Sequence, residues 1–487
     1  MSVLALDAGT TGVTALVVTE DGRVAARGYA EFAQHFPEPG WVEHDPDEIW
    51  AATLAAARQA LAGNAPAPTT VGITNQRETV VVWDRTTGAA PRRAIVWQDR
   101  RTAALCAALR DAGHEERVAG LTGLRLDPYF SGSKLRWLAE HEPSLWNGVR
   151  DGELVLGTVD SYVVARLTAG RVHATDPSNA SRTLLYDLDS GSWSGELAEL
   201  FRAPLAALPD VRPSSGGFGR TDPDAFLGLD LPITGVAGDQ QAALFGQACF
   251  DIGEAKCTYG TGSFVLVNTG ERPRHPAAGL LSTVAWDLGS GPVYALEGAV
   301  FVTGAAVQWL RDGLRIVDTA AQTEALARSV PDAGGVVFVP ALTGLGAPYW
   351  DPDARGTILG ITRGTTRAHL VRATLEAIAY EVRDVVDLMG LRVPELSVDG
   401  GASTNDLLCE LQASALQIPV RRPEVAETTA LGAAFLAGLA TGVWASTAEL
   451  SSTWRLDRRF EPGTPDPTGY ARWQAAVDRS RGWARCP

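Results

Sequence analysis

Two carboxylates in this chain stand where a short apolar run ends, a common position for acid–base and metal chemistry. Asp7 closes the run 3–6 and precedes the turn 9–12, and Asp239 follows the run 233–237 and opens a helical segment. Asp239 could act there as a general base or a metal ligand, and Asp7 could support magnesium through water. Asp239 could also serve only as the cap of its helix, and the residues alone leave that alternative open.

Two turns of similar composition lie about half the chain apart. Residues 9–12 read Gly-Thr-Thr-Gly and residues 260–263 read Gly-Thr-Gly-Ser, each between two apolar segments. Exposed backbone N–H groups beside threonine hydroxyls can surround a phosphate. One such turn is equally consistent with an ordinary hairpin. Two of them predict a duplicated fold that holds a ligand between its halves, with a boundary near residue 247.

A polar segment between apolar runs carries two further candidates. Arg77 and Glu78 lie between the strands predicted at 71–74 and 80–83, in a stretch with neither glycine nor proline. In a regular strand their side chains would face opposite ways, so both reach one ligand only if the backbone departs from strand geometry. A solvated surface ion pair is the alternative.

Aromatic and glycine-rich positions extend the set of candidates. Trp97 ends a predicted strand and Tyr129 lies in a loop, where ligand binding and packing of the loop are both common. Gly400 and Gly401 follow another strand and would let a flat ring approach the backbone. Asn405 could cap the helix that follows or contact that ring.

The composition is that of a globular chain with two domains. The 487 residues are 45% hydrophobic and carry a net charge of −15, which argues against nucleic acid or an anionic membrane as the main partner. The five cysteines form no Cys-x-x-Cys pair, as expected of free thiols in a reducing cytoplasm. No signal peptide precedes the first strand, and the most apolar segment, 429–445, is too short for membrane insertion. A cytoplasmic protein is therefore expected.

The apolar periodicity alternates between strands and helices. It predicts a hairpin over 3–18, a helix that Asp45 caps, a strand over 95–98, a helix beginning near 134 and a long amphipathic helix over 366–389. Such alternation is typical of an α/β fold.

Together these segments resemble the FGGY family of carbohydrate kinases, and within it the glycerol kinases, from Leu4 to about residue 462. The most specific matches are Gly-Ile-Thr-Asn-Gln-Arg-Glu-Thr at 72–79, Asp-Pro-Tyr-Phe-Ser-Gly at 127–132, Gly-Asp-Gln-Gln-Ala-Ala-Leu-Phe at 238–245 and Gly-Leu-Gly-Ala-Pro-Tyr-Trp-Asp-Pro at 344–352. The stretches 41–46 and 295–301 are also similar to those of glycerol kinases.

The resemblance implies two actin-like (ribonuclease H-like) domains around a central cleft. Residues 1–247 would bind the polyol and carry the catalytic base, and residues 248–487 would bind ATP. The implied activity is ATP-dependent phosphorylation of glycerol to sn-glycerol 3-phosphate in glycerol catabolism, with Mg²⁺, in a homodimer or homotetramer. A kinase for another small polyol or ketose, such as erythritol or dihydroxyacetone, is the first alternative. A low-turnover nucleotide-dependent regulatory protein of the same fold is the second.

The resemblance also assigns roles to individual residues. Asp239 corresponds to the general base, and Asp7 would support the magnesium. The positions that correspond to polyol contacts are Arg77, Glu78, Trp97, Tyr129, Asp239, Gln240 and Phe264. Those that correspond to ATP contacts are Thr10, Thr11, Gly12, Thr261, Gly304, Gln308, Gly401 and Asn405.

Thr14 departs from the resemblance. Glycerol kinases typically carry an arginine at this position, and several sugar kinases of the family carry a lysine. A lost charge-assisted hydrogen bond to phosphate corresponds to about 1.5–3 kcal/mol, or about ten- to a hundred-fold in rate or affinity. We therefore expect weaker ATP handling than is usual in the family, unless another cation substitutes.

The connector 222–230 is a second departure and leads to a testable prediction. Bacterial glycerol kinases inhibited by fructose 1,6-bisphosphate carry a glycine-rich loop with an arginine there, whereas this chain reads Asp-Pro-Asp-Ala-Phe-Leu-Gly-Leu-Asp. Acidic groups repel a bisphosphate. Millimolar fructose 1,6-bisphosphate should therefore leave the steady-state rate unchanged relative to a control of equal ionic strength. A clear drop in rate would contradict this expectation.

Overall fold

The structure is a computed structural model that describes residues 1–274 and 279–485. Its strands are β1 (Ser2–Ala8), β2 (Gly12–Thr19), β3 (Val24–Glu31), β4 (Glu43–His44), β5 (Thr70–Asn75), β6 (Val81–Asp84), β7 (Ala94–Ile95), β8 (Leu154–Gly157), β9 (Ala174–Thr175), β10 (Tyr186–Asp187), β11 (Ser192–Trp193), β12 (Asp210–Val211), β13 (Ile233–Gly238), β14 (Ala255–Tyr259), β15 (Ser263–Gly270), β16 (Leu281–Asp287), β17 (Pro292–Val300), β18 (Val337–Val339), β19 (Thr357–Leu359), β20 (Leu396–Asp399), β21 (Val420–Pro423) and β22 (Leu456–Phe460).

Its helices are α1 (Pro46–Leu61), α2 (Ala103–Asp111), α3 (Glu115–Thr122), α4 (Ser131–His141), α5 (Pro143–Arg150), α6 (Val159–Leu167), α7 (Pro177–Ala180), α8 (Gly195–Leu200), α9 (Asp239–Gly246), α10 (Gly304–Gln308), α11 (Gln322–Arg328), α12 (Arg367–Asp387), α13 (Asp406–Leu416), α14 (Thr428–Thr441), α15 (Thr447–Thr453) and α16 (Pro467–Ser480). Short 3₁₀ or π turns lie at Leu205–Ala207, Trp309–Gly313, Gly401–Thr404 and Trp483–Arg485.

A five-stranded mixed sheet forms the core of the first half. Its order is β13-β5-β1-β2-β3. β2 is antiparallel to both β1 and β3, and β1, β5 and β13 are parallel. β1 and β5 are buried almost throughout, as expected of apolar strands covered on both faces.

The same five-strand arrangement recurs in the second half. Its order is β17-β15-β14-β20-β21, with β16 and β22 added at the two edges. β14 is antiparallel to β15 and parallel to β20, as β1 is to β2 and β5. Each sheet therefore contains a hairpin whose turn carries one Gly-Thr motif. The prediction of two actin-like (ribonuclease H-like) α/β domains is confirmed.

Most predicted elements are present, and two need correction. The helix that Asp45 caps begins at Pro46, and the long helix predicted over 366–389 covers Arg367–Asp387. The strand predicted at 95–98 ends at Ile95, because the chain turns through a hydrogen bond from the Asp99 N–H to the Val96 carbonyl.

α4 is the second correction, since it begins at Ser131 rather than near Lys134. Phe130 is the extended residue before the helix, and the first turn is built from serine and glycine. These residues are weak helix formers, so their types alone did not indicate a helical turn.

α14 crosses from the second half of the sequence onto the first sheet. It packs on β1, β5 and β13 and against α9, and glycines allow the backbones to approach closely. A Cβ added at Gly72 would lie 2.2 Å from the Ala433 carbonyl oxygen, and one at Gly432 would lie 1.8 Å from that of Ala242. The proposed division into residues 1–247 and 248–487 assigns the two sheets to different domains, although α14 of the second half packs on the first sheet. The division remains a proposal.

The cysteines were expected to be free thiols, and no segment was expected to span a membrane. Cys106, Cys249, Cys257 and Cys409 are buried free thiols, and Cys486 lies outside the described residues. In the described ranges, no helix combines the length and the apolar character needed to cross a bilayer.

Gly432→Ala should lower the free energy of unfolding by about 1–3 kcal/mol, because the added methyl group would overlap a backbone carbonyl between packed helices. Denaturant-induced unfolding measures the change. Gly120→Ala is the matched control, since Gly120 is a helical glycine of α3 with open space around its Cα. That control should keep or raise stability by up to about 1 kcal/mol. Equal effects of the two substitutions would contradict the tight helix crossing.

Candidate active site

Arg77 is the centre of a buried network of charged and polar side chains. Its Nη1 donates to Glu297 Oε2 at 2.6 Å and to Gln241 Oε1 at 3.2 Å. Its Nη2 donates to Glu297 Oε1 at 3.1 Å and to the Tyr129 hydroxyl at 3.2 Å. Both terminal nitrogens of Arg77 are therefore committed to the protein.

Glu78 reaches this network because its backbone leaves strand geometry. Its φ of 62° lies in the left-handed region, which is rare for a residue with a side chain. Both Arg77 and Glu78 are 2% exposed, so the alternative of a solvated surface ion pair is wrong. Arg182 Nε donates to Glu78 Oε1 at 2.7 Å, and Arg77 Nε lies 3.7 Å from the same oxygen. No described residue donates to Glu78 Oε2, which remains able to accept from a ligand.

Glu297 joins the two halves of the molecule. It lies on β17 of the second sheet, whereas Arg77 follows β5 of the first sheet. Arg182 Nη2 donates to Glu297 Oε1 at 2.9 Å. Burial alone would raise the pKa of Glu297, but Arg182 and Arg77 lower it to about 2. The carboxylate thus stays ionised between two guanidinium groups, which is the pairing that a buried charge requires.

Asp239 is the first residue of α9 and directly follows β13. Its side chain is 28% exposed, and its Oδ1 accepts from the Gln240 N–H at 2.7 Å and lies 3.2 Å from Arg77 Nε. Gly238 occupies the N-cap position without a side-chain cap, so the interpretation of Asp239 as a helix cap is wrong. Burial raises the pKa of Asp239, while Arg77 and Lys256 lower it. Its Oδ2 accepts no hydrogen bond from the described residues and is available to take a proton.

Gln240 is held from the second sheet by Lys256 of β14. Lys256 Nζ donates to Gln240 Oε1 and, at 2.8 Å, to Thr258 Oγ1. Lys256 is fully buried, and burial lowers its pKa, an effect that the carboxylates of Asp399 and Asp239 oppose only in part. In its ammonium form, Lys256 lowers the pKa of Asp239 from the second half of the molecule.

Three aromatic rings predicted to contact the ligand lie together beside Arg77. The Trp97 ring centroid is 5.5 Å from that of Tyr129 and 6.4 Å from that of Phe264. The Arg77 guanidinium lies 5.9 Å from the centre of the Phe264 ring. Trp97 Nε1 donates to Thr10 Oγ1 at 3.0 Å, which joins this aromatic wall to the first Gly-Thr turn.

The two Gly-Thr turns have similar internal hydrogen bonds. The Gly9 N–H donates to the Gly12 carbonyl at 3.0 Å, and the Gly260 N–H donates to the Gly262 carbonyl at 2.8 Å. The threonines at the turn tips are exposed, namely Thr11 and Thr261. Each turn thus presents hydroxyl groups beside backbone N–H groups, an arrangement that suits a phosphate.

Gly304 begins α10 directly beside the second turn. Its N–H donates to the Gly260 carbonyl at 3.0 Å, and a Cβ at Gly304 would lie 2.6 Å from that oxygen. Gln308 ends the same helix and is exposed. The structure therefore places these two candidates next to the candidate phosphate turn.

Gly401 and Asn405 lie after β20, around the start of α13. Gly401 is exposed and has open space where a side chain would be. The Asn405 side chain accepts from the Leu408 N–H at 3.1 Å and donates to Thr323 Oγ1 at 3.2 Å. Of the two roles open to Asn405, the structure contains the helix cap, and contact with a nucleotide stays a prediction.

Asp7 lies near the end of β1, opposite Thr14 of β2 and Thr74 of β5. Burial and the Asp239 carboxylate raise the pKa of Asp7 to about 7. A divalent cation near both carboxylates would favour their ionised forms, and Mg²⁺ prefers carboxylate, water and phosphate oxygens. The donor set around Asp7 therefore fits magnesium.

Three members of this site were not identified from the sequence, namely Arg182, Glu297 and Lys256. Glu297 is 220 positions from Arg77, and Arg182 is 104 positions from Glu78, so no local pattern indicated these contacts. Lys256 could have been noticed from the composition, because lysine is rare in this chain. Of the 42 basic residues in the chain, only Lys134 and Lys256 are lysines.

Comparisons with known proteins agree with this arrangement. Residues 2–246 match the N-terminal domain of the FGGY family of carbohydrate kinases, and residues 255–441 match its C-terminal domain. The glycerol kinase of Symbiobacterium thermophilum is 54% identical over 492 residues, with 99% of each chain covered. The glycerol kinase of Acidovorax sp. is 55% identical, with 98% of each chain covered.

Solved structures show the same relationship. The glycerol kinase of Plasmodium falciparum, solved with ADP, superposes with a TM-score of 0.91 at 34% identity over 98% of both chains. A xylulose kinase of Rhodospirillum rubrum superposes with a TM-score of 0.84 at 27% identity, covering 98% of this chain and 99% of its own. Its sequence, its duplicated sheets and these matches show that the chain belongs to the FGGY family of carbohydrate kinases.

Proposed function

We propose that this protein transfers the γ-phosphoryl group of ATP to glycerol and forms sn-glycerol 3-phosphate. The observation that carries the proposal is Asp239, a partly exposed carboxylate with a free Oδ2 beside Arg77 and Gln240. Relatives named glycerol kinase, similar over nearly their whole length, support glycerol as the acceptor.

The polyol would be held by hydrogen bonds, because a molecule of this size has almost no apolar area to bury. Glu78 Oε2 can accept from one hydroxyl group, and the Tyr129 hydroxyl can donate to or accept from another. Gln240 completes the set from the other side of Asp239. Trp97 and Phe264 would cover the carbon chain.

Asp239 would act as the general base. Its Oδ2 takes the proton of a terminal hydroxyl as that oxygen attacks the γ-phosphorus in line, while the bond from the γ-phosphorus to the bridging oxygen breaks and ADP leaves. Arg77 and Lys256 oppose the effect of burial and help to keep the carboxylate ionised. Closure of the cleft would exclude water, which competes as a phosphoryl acceptor.

The nucleotide would lie between the two Gly-Thr turns. We assign the phosphate contacts to Thr10, Thr11, Gly12 and Thr261. We assign the contacts to the ADP moiety to Gly304, Gln308, Gly401 and Asn405. Asp7 would support Mg²⁺, which when bound offsets the negative charge of the phosphoryl oxygens. In this scheme residues 1–247 contribute most of the polyol site and residues 248–487 most of the ATP site.

We further infer a homodimer or homotetramer in the cytoplasm, with glycerol and ATP as its small-molecule partners. The net charge of −15 supports a partner set without nucleic acid. Sedimentation velocity of the purified chain tests the assembly.

The proposal is tested by ADP release from ATP and magnesium with glycerol, erythritol, dihydroxyacetone and pentitols in parallel. Rapid turnover with glycerol alone is the expected result. Turnover with a different acceptor would retain the mechanism and change the substrate. ADP release with none of them would contradict a polyol kinase and favour a nucleotide-dependent regulatory protein.

Asp239→Asn should lower kcat by about 10²–10⁴-fold, because the amide has nearly the shape of the carboxylate but cannot take the proton. Binding of ADP, measured by calorimetry, should be unchanged, since Asp239 is not among the assigned nucleotide contacts. Asp21→Asn, at an exposed turn, is the matched control and should retain the wild-type rate. A kcat of Asp239→Asn within a few-fold of wild type would contradict the role of general base.

Thr14→Arg should raise kcat/KM for ATP by about ten- to a hundred-fold. Thr14 lies opposite Asp7 in the β1–β2 register, so the new guanidinium would project from the same face beside the candidate phosphate turn. Thr14→Gln adds length and polarity without charge and is the matched control. No gain with Thr14→Arg would indicate that the site does not lack a cation.

A further inference from the structure

The use of lysine in this chain is very uneven. Forty of the 42 basic residues are arginines, and the two lysines, Lys134 and Lys256, are both fully buried. Lys134 Nζ donates to three successive carbonyls of the loop that carries Tyr129, including the Tyr129 carbonyl at 2.7 Å. Lys256 donates to Gln240. Each lysine thus contacts a segment that carries a candidate polyol residue. At both positions the chain uses an ammonium group, although it uses guanidinium groups almost everywhere else.

The amide of Gln240 has only one orientation compatible with Lys256. An ammonium group donates hydrogen bonds and cannot accept them, so the amide atom that faces Lys256 Nζ has to be the oxygen. The Gln240 Nε2 group must then point away from Lys256.

We propose that Lys256 is a positioning residue that fixes Gln240 as a hydrogen-bond donor to a substrate hydroxyl. The inference rests on the proposed polyol kinase function and deepens it. Glu78 Oε2 and Gln240 Nε2 give the site one committed acceptor and one committed donor. The substrate must therefore offer a hydroxyl that donates to Glu78 and an oxygen that accepts from Gln240, as neighbouring hydroxyls of a polyol do.

An arginine could not replace Lys256 in this role. Lys256 is fully buried, and its Nζ bonds both Gln240 and Thr258 from one compact atom. A guanidinium spreads its donors over a larger fixed plane, so it would not place one nitrogen between both oxygens as the ammonium group does. This accounts for a lysine at a buried position in a chain that otherwise uses arginine almost throughout.

Gln240→Glu tests the inference without a change at Lys256 or in side-chain volume. The carboxylate can still pair with the ammonium group, but it cannot donate to the substrate. The KM for glycerol should rise about ten- to a hundred-fold, with the KM for ATP within about two-fold of wild type. An unchanged KM for glycerol would overturn the inference.

A double-mutant cycle with Lys256→Met and Gln240→Ala tests whether Lys256 affects glycerol binding through Gln240. Each single substitution should raise the KM for glycerol, and Lys256→Met should add less than about two-fold in the Gln240→Ala background. Lys134→Met is the matched control, because Lys134 contacts the Tyr129 loop instead, and its effect should multiply with that of Gln240→Ala. If Lys256→Met raised the KM for glycerol by the same factor in the Gln240→Ala background as in the wild type, the inference would be overturned.

The outcomes separate the inference from the proposed function. A wild-type enzyme that does not phosphorylate glycerol would overturn both. A wild-type enzyme that does so, with a Lys256→Met variant of unchanged KM for glycerol, would overturn only the role of Lys256. If Lys256→Met does not give a folded protein, as judged by thermal unfolding, the Gln240→Glu result decides the question alone.

Discussion

The buried pairing of Arg77 with Glu297 is the interaction on which the site depends. Moving an ionised carboxylate or guanidinium out of water costs several kcal/mol per ion, and these two side chains are 2% and 0% exposed. The cost is offset because Glu297 lies between Arg77 and Arg182, and Arg182 also contacts Glu78. Removal of any one of these four charges would leave the buried cluster with one uncompensated charge, which corresponds to about 3–5 kcal/mol.

This network also constrains how the cleft can open. Glu297 belongs to the second sheet and its guanidinium partners to the first half, while Lys256 of the second sheet holds Gln240 of α9. An opening motion that separated these contacts would expose unpaired charges to a partly dehydrated interior. We therefore expect closure to pivot about the network, and to move the Gly-Thr turns at 9–12 and 260–263, whose tips are exposed, relative to each other.

The sequence predicted local features well and long-range contacts poorly, for a physical reason. The hairpins, the helix at Pro46 and the helix at Arg367 depend on periodicity and capping, which are written in neighbouring residues. The need for Glu78 to leave strand geometry also followed from two adjacent residues, and its φ of 62° meets that need. Arg182 and Glu297 could not be found this way, because the residues that they contact depend on how the two halves of the molecule pack together.

Charge in the site is arranged locally and differs from the charge of the whole chain. The chain carries a net charge of −15, whereas the cations Arg77 and Arg182 balance the anions Glu78 and Glu297 within the buried network. These cations are already paired, so they add little net attraction for the four charges of ATP. With threonine at position 14, attraction for the phosphates has to come from the backbone N–H groups and hydroxyls of the two turns and from a metal at Asp7. The site thus separates two tasks: paired buried charges orient the acceptor and the base, and neutral donors with a divalent cation hold the nucleotide.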